Sequence, residues 1–185
     1  MHIHEVGTLY WSSLRSKCKI CTLQINPDGH CLFSAIADQL ALLNILPANE
    51  ANYATLRATA SSYLSQHPDD FLPFLPSISG EDGVGATENS GLMNTRQFAQ
   101  YCLTIKDTAA WGGEPEILAL SRAYNVPIQV IQAGTPSVVT HTPDDNLPDN
   151  LSRDGKTVRI SFHRRMYGLG EVGGSEKFNA PGSNL

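Results

Sequence analysis

Charge is in short supply in this 185-residue chain: 17% of residues are charged, 13 basic against 18 acidic, for a formal net charge of −5. A nucleic-acid binder presents a basic face that displaces counterions from phosphates. Here the basic pairs, such as Arg164-Arg165, are short, so no nucleic-acid partner is expected. Cysteine is scarce too: four residues are too few for a disulfide framework and fit a reducing compartment. Long apolar runs are missing. The strongest, around Leu40 to Leu46, is too short to span a bilayer and carries Asn44, so no membrane partner is expected. The opening residues, MHIHEVGTLYWSSLRSKCKIC, lack the basic start, apolar centre and small-residue cleavage site of a secretory signal. Cytoplasm is the default location, and the mildly acidic surface suits a small molecule or a protein partner.

What is present suffices for one domain: 41% of the residues are hydrophobic, enough at this length for a sizeable core. After a turn at Pro27-Asp28-Gly29, apolar residues at Leu32, Ile36, Leu40 and Leu43 have helical spacing. Asn52 is placed to cap a second helix with a face of Leu56, Ala60 and Leu64, stopped near His67-Pro68. The following FLPFLP is too rich in proline for a regular element, and Ser79 to Ser90 reads as an exposed loop. A third helix is predicted from about Thr95, burying Phe98, Cys102 and Ile105. Pro115 suits the first turn of a fourth, with Ile117, Leu118 and Leu120 toward the core. The period then changes to two: Val126, Ile128 and Val130 alternate, as do Val158, Ile160 and Phe162, with a weaker strand from Ser137 to Thr140. Helices first and strands later imply an α+β domain with a small, mainly antiparallel sheet packed against helices.

The stretch INPDGHCLF sets Cys31 where a turn becomes a helix. Unpaired N–H groups and the helix dipole at such a place favour a thiolate, the nucleophilic form. The loop Asp28-Gly29-His30 offers N–H groups to a developing oxyanion. A cysteine beside Leu32 and Phe33 also reads as a small buried hydrophobe, and both readings stand on the residues alone. His30, a neighbour on the turn, is expected to be exposed rather than to serve as the base. Cys18 and Cys21 form a CxxC, but no second pair completes four ligands, so no metal or other cofactor is expected. Trp111-Gly112-Gly113 reads equally as a buried aromatic with a helix-breaking pair or as part of a site.

Four strings, PDGHCLFSAIADQL, HPDDFLPFL, AAWGGEPEILALSRAYNVPIQVIQ and MYGLGE, resemble in sequence and order the ovarian tumour (OTU) family of deubiquitinating cysteine proteases. The likeness is strongest to the subgroup with an N-terminal helical extension, which is absent here. It divides the chain into a divergent segment 1–22, an OTU-like domain 23–171 and a divergent, flexible tail 172–185. The resemblance implies Cys31 as nucleophile, Asp28 as the aspartate of the DGxC motif that shapes the oxyanion hole, and Trp111 and Gly112 near the substrate groove. It further implies ubiquitin or a ubiquitinated protein as partner, attack at ubiquitin's C-terminal glycine and a thioester that water hydrolyses.

One part of the pattern is missing. The family's histidine lies in a Gly-Glu-His-Tyr-Asn-Ser motif, whereas Gly170-Glu171 is followed by Val172-Gly173-Gly174-Ser175. Allowing a five-residue insertion aligns Glu176-Lys177-Phe178-Asn179-Ala180 instead, which restores the asparagine and the aromatic but puts Lys177 where the base belongs. Valine can neither donate nor accept, and a lysine near its ordinary pKa is protonated. Loss of a general acid-base group typically costs about 10²- to 10⁴-fold in rate. Three readings follow: an impaired deubiquitinase, with His141 and His163 not expected to reach Cys31; an inactive ubiquitin-binding pseudoenzyme; or a truncated or misread gene product, since a valine codon begins with the letters of an intron start.

Overall fold

The computed structural model describes residues 21–25, 28–76, 92–133, 135–144, 156–164 and 176–182, with backbone alone for 21–24, 163–164 and 176–182. Chain order is β1 (Cys21–Gln24), α1 (Cys31–Leu42), α2 (Tyr53–Gln66), a short α3 (Pro68–Phe71) running into a 3-10 turn (Leu72–Phe74), α4 (Thr95–Asp107), α5 (Glu114–Tyr124), β2 (Ile128–Gln132), β3 (Val138–His141), β4 (Val158–Arg164) and β5 (Glu176–Gly182).

The helices begin where their caps dictate. Asn52 Oδ1 accepts the Thr55 N–H at 3.0 Å, and Asn94 exchanges reciprocal 2.9 Å bonds with Gln97 in a capping box that opens α4. Pro115 sits in the first turn of α5, where its missing N–H has no helical partner to lose. The same tolerance explains a departure from expectation at FLPFLP. Pro68 and Pro73 each occupy a first-turn position, so the segment forms α3 and the 3-10 turn rather than irregular chain. In α5, Leu118 is only half-buried, and Glu116 takes a fully buried place beside Ile117 and Leu120.

The five strands form one sheet in the order β1-β5-β4-β2-β3. β2 and β4 run parallel, and the other three pairings are antiparallel. α1 packs on β4 and β5, α5 meets β2 and β3, and α2 lies against α1, α4 and α5. Leu32, Phe33, Ile36 and Leu40 of α1 are fully buried with Ile128, Val158 and Ile160 of the strands. Each such side chain contributes roughly 1.5–3 kcal/mol relative to exposure, so α1 is fixed to the sheet along its whole length.

Residues 176–182 differ from the flexible tail expected for them. They lack strand-like alternation and contain Pro181, yet β5 is bonded on both sides, to β1 and to β4. Partners on two edges supply what local propensity does not. The expected loop from Ser79 to Ser90, together with Cys18, lies outside the described residues.

Candidate active site

Asp28 folds the turn ahead of α1 onto itself. Its carboxylate accepts the His30 N–H at 2.8 Å and its carbonyl accepts the Cys31 N–H at 3.2 Å, the side-chain-to-backbone turn that aspartate favours. Cys31 is then the first residue of α1 and only 1% exposed. In this conformation the His30 and Cys31 N–H groups point at Asp28, so the His30 donor expected of the loop is engaged within it.

Arg57 fixes the turn from behind. This arginine of α2 is 1% exposed, and four of its N–H donors reach acceptors on three other segments. Nε donates to His30 Nδ1 at 3.0 Å, Nη1 to the Ile105 carbonyl at 2.7 Å, and Nη2 to the carbonyls of Gly29 and, at 2.7 Å, Ala110. Its guanidinium carbon also sits 4.3 Å from the centre of the Phe33 ring, a favourable cation–π placement. Because arginine cannot accept, His30 Nδ1 must, which leaves the ring proton on Nε2. His30 is therefore half-buried, with Tyr53's ring 4.1 Å away, rather than exposed as expected. Its engaged nitrogen is no base for Cys31.

The segment after α4 completes this wall. A Cβ on Gly29 would lie 1.7 Å from the Ala109 carbonyl oxygen, and one on Gly112 would lie 2.7 Å from Leu32 Cδ2. Backbone thus touches backbone at Gly29, and Gly112 rests on the first turn of α1. Glu116 reaches back to accept the Gly113 N–H at 2.6 Å and the Tyr101 hydroxyl. Burial pushes the Glu116 carboxyl up, against these two hydrogen bonds, and burial followed by Glu116's charge pushes the Tyr101 hydroxyl up.

The stretch of chain that carries this turn matches known proteins. The family model described as OTU-like cysteine protease matches residues 26–171. The chain belongs to the OTU family. Deubiquitinase OTUD6B of Gallus gallus is 38% identical over 149 residues, which cover 80% of this chain and 42% of that protein. OTU domain-containing protein 2 of Saccharomyces cerevisiae is 31% identical over 155 residues, 83% of this chain and 44% of that one. The chain therefore spans less than half the length of these curated relatives. Among solved structures, the OTU domain of OTUD1 aligns with a TM-score of 0.50 at 22% identity, covering 85% of this chain and 87% of that one, which supports the OTU fold.

Within the OTU fold, Trp111 is about half exposed (48%), not the buried aromatic of the alternative reading. With Gly112 it lines two adjoining openings, a groove of about 740 Å³ that continues past Tyr101 to Phe71 and Phe74, and a smaller cavity of about 210 Å³. His141 lines both, its imidazole pushed down by burial, and Cys31 lines neither. On the strand side, Val172 lies outside the described residues. Lys177 falls in β5, in register with His163 of β4, while Asn179 pairs with Ser161. β5 packs on α1, the helix that begins at Cys31.

Arg57 and Glu116 escaped the sequence reading. A signal for Arg57 was available: it shares the helical face of Ala60, Ser61 and Leu64, so a charge lies within a buried stripe.

Proposed function

We propose that this chain is a ubiquitin-directed cysteine hydrolase domain in which Cys31 attacks the carbonyl at ubiquitin's C-terminal glycine. The thioester so formed is released by water. The observation that carries the reading is Cys31 at the start of α1, behind a turn held by Asp28, in a chain of the OTU family. Relatives named as deubiquitinases favour ubiquitin as the modifier and the ubiquitin conjugation pathway as the setting. Asp28 shapes the turn, and Trp111 and Gly112 border the substrate's path. No cofactor or metal enters the scheme, and the proposed location is the cytoplasm.

Turnover is impaired in this proposal. The insertion alignment sets Lys177 at the family's histidine position and Asn179 at its asparagine, and a protonated lysine is a poor base. Cys31 is also covered, so attack requires a shift that uncovers the sulfur. That burial favours a second reading, a ubiquitin-binding pseudoenzyme.

A ubiquitin probe with an electrophilic C-terminus separates the two. Covalent capture that is lost in Cys31→Ala, with slow cleavage of ubiquitin chains, is the expected result. Ubiquitin affinity without capture would establish the pseudoenzyme, and absence of both would remove ubiquitin from the account.

A further inference from the structure

Arg57 is unusual in what its charge is not used for. A buried cation normally meets a carboxylate, yet its hydrogen-bond acceptors are three carbonyls and one imidazole nitrogen. Among the described residues no carboxylate forms an ion pair with it. Glu116, the nearest buried acid by electrostatic influence, has both oxygens occupied by Tyr101 and Gly113. The guanidinium touches Gly29, His30 and Phe33, the residues on either side of Cys31. A positive charge is thereby fixed beside the residues that flank Cys31.

We propose that Arg57 is a positioning residue for the nucleophile: it locks the Gly29–His30 peptide and supplies a fixed positive charge that favours the thiolate form of Cys31. The proposal deepens the hydrolase reading and rests on it. The Gly29–His30 peptide is gripped at both ends, its carbonyl by Arg57 and its N–H by Asp28, which aligns the first turn of α1 behind the sulfur. A guanidinium stays charged throughout the pH range of thiol chemistry. The titratable groups acting on it are Glu116, Asp28, Cys31 and Tyr53, together with the hydrogen-bonded His30. Cys31 and Arg57 attract each other, while burial alone would favour the neutral thiol. The two effects oppose at Cys31, so an experiment decides which wins.

The test is the pH dependence of iodoacetamide alkylation in the full chain, resolved by mass spectrometry at each cysteine. Cys102 is the internal reference, a buried thiol pushed up by burial and then by Glu116. Cys31 is expected to alkylate with a midpoint below that of an ordinary free thiol, and Cys102 above it. Arg57→Gln should raise the Cys31 midpoint and slow its alkylation at neutral pH by about tenfold, one pKa unit's worth. Arg57→Lys should keep the midpoint near the parent's while losing thermal stability. A parent Cys31 midpoint at or above that of a free thiol overturns the proposal even if Arg57→Gln does not fold; so does a folded Arg57→Gln whose midpoint is unchanged. Capture of the ubiquitin probe is measured on the same samples. A low midpoint without capture overturns the hydrolase reading alone, and capture with an ordinary midpoint overturns the role of Arg57 alone.

Discussion

The turn before α1 and the β4–β5 ladder are positioned by different means. At the turn, side chains and backbone from four segments converge: Asp28 bonds within its own loop, Arg57 spans three segments, and Gly29 and Gly112 allow the closest approaches. At the β4–β5 end, strand register does the placing: Ser161 to Arg164 of β4 meet Asn179 to Glu176 of β5 residue by residue. A ladder positions its residues through main-chain bonds that every non-proline residue can make, whereas the turn depends on particular side chains and on glycines at particular places. A single substitution in the ladder therefore leaves its main-chain bonds available, while one at Gly29 or Arg57 removes a contact on which the turn is built.

The largest expected effect falls on the cysteine. Cys31→Ala should abolish covalent capture of the ubiquitin probe while leaving the melting temperature within a few degrees of the parent, because a small buried side chain replaces another. Next comes the ladder. Lys177→His should raise turnover of ubiquitin chains by about 10²-fold, the low end of general acid-base contributions, and Val172→His should leave it unchanged. The reverse outcome would select the gapless alignment and remove β5 from the site.

Turn glycines test the other side of the comparison. Gly29→Ala drives a methyl group into the Ala109 carbonyl and should cost roughly 1–3 kcal/mol, as overpacking does, by denaturant melt. Tolerance of that change would mean the turn is as permissive as the ladder. Glu116→Gln probes the support beneath it. A carboxyl raised by burial binds more protons folded than unfolded, so it subtracts stability as pH rises from the ordinary carboxylate value of about 4.3 through its raised folded value. The variant should gain on its parent across that window, and a constant gap between the two melts would contradict the assignment. The smallest effect belongs to Arg122, whose 2.9 Å pair with the half-exposed Asp70 is a surface bridge. Asp70→Asn should cost less than about 1 kcal/mol, in contrast to any change at Arg57.

Legibility in the sequence followed the range of the interactions. Asn52 and Pro115 announce helix starts because their effects act within one turn, and the apolar spacing of α1, α2 and α4 marks the faces that are buried. The burial of Arg57 could be read from its helical face, but its partners could not, since they lie 27, 28, 48 and 53 residues away. Glu116 reads as one of two acids in an exposed first turn, but the fold closes over it and spares Glu114. β5 was hidden for a related reason: its order comes from neighbours on both edges rather than from its own pattern of residues. Cys31, the Asp28 turn and the Trp111–Gly113 segment were visible in local motifs, and the packing of Gly29 on Ala109 and of Gly112 on Leu32 was not.

That β5 lies between β1 and β4 makes closure of the sheet a non-local event. Among the described strands β1 has no other neighbour, so it joins the sheet only through a strand from the far end of the described chain. The helix bearing Cys31 leans on that same strand, so the seating of the sulfur is coupled to a pairing of high sequence separation, the kind that folds slowly.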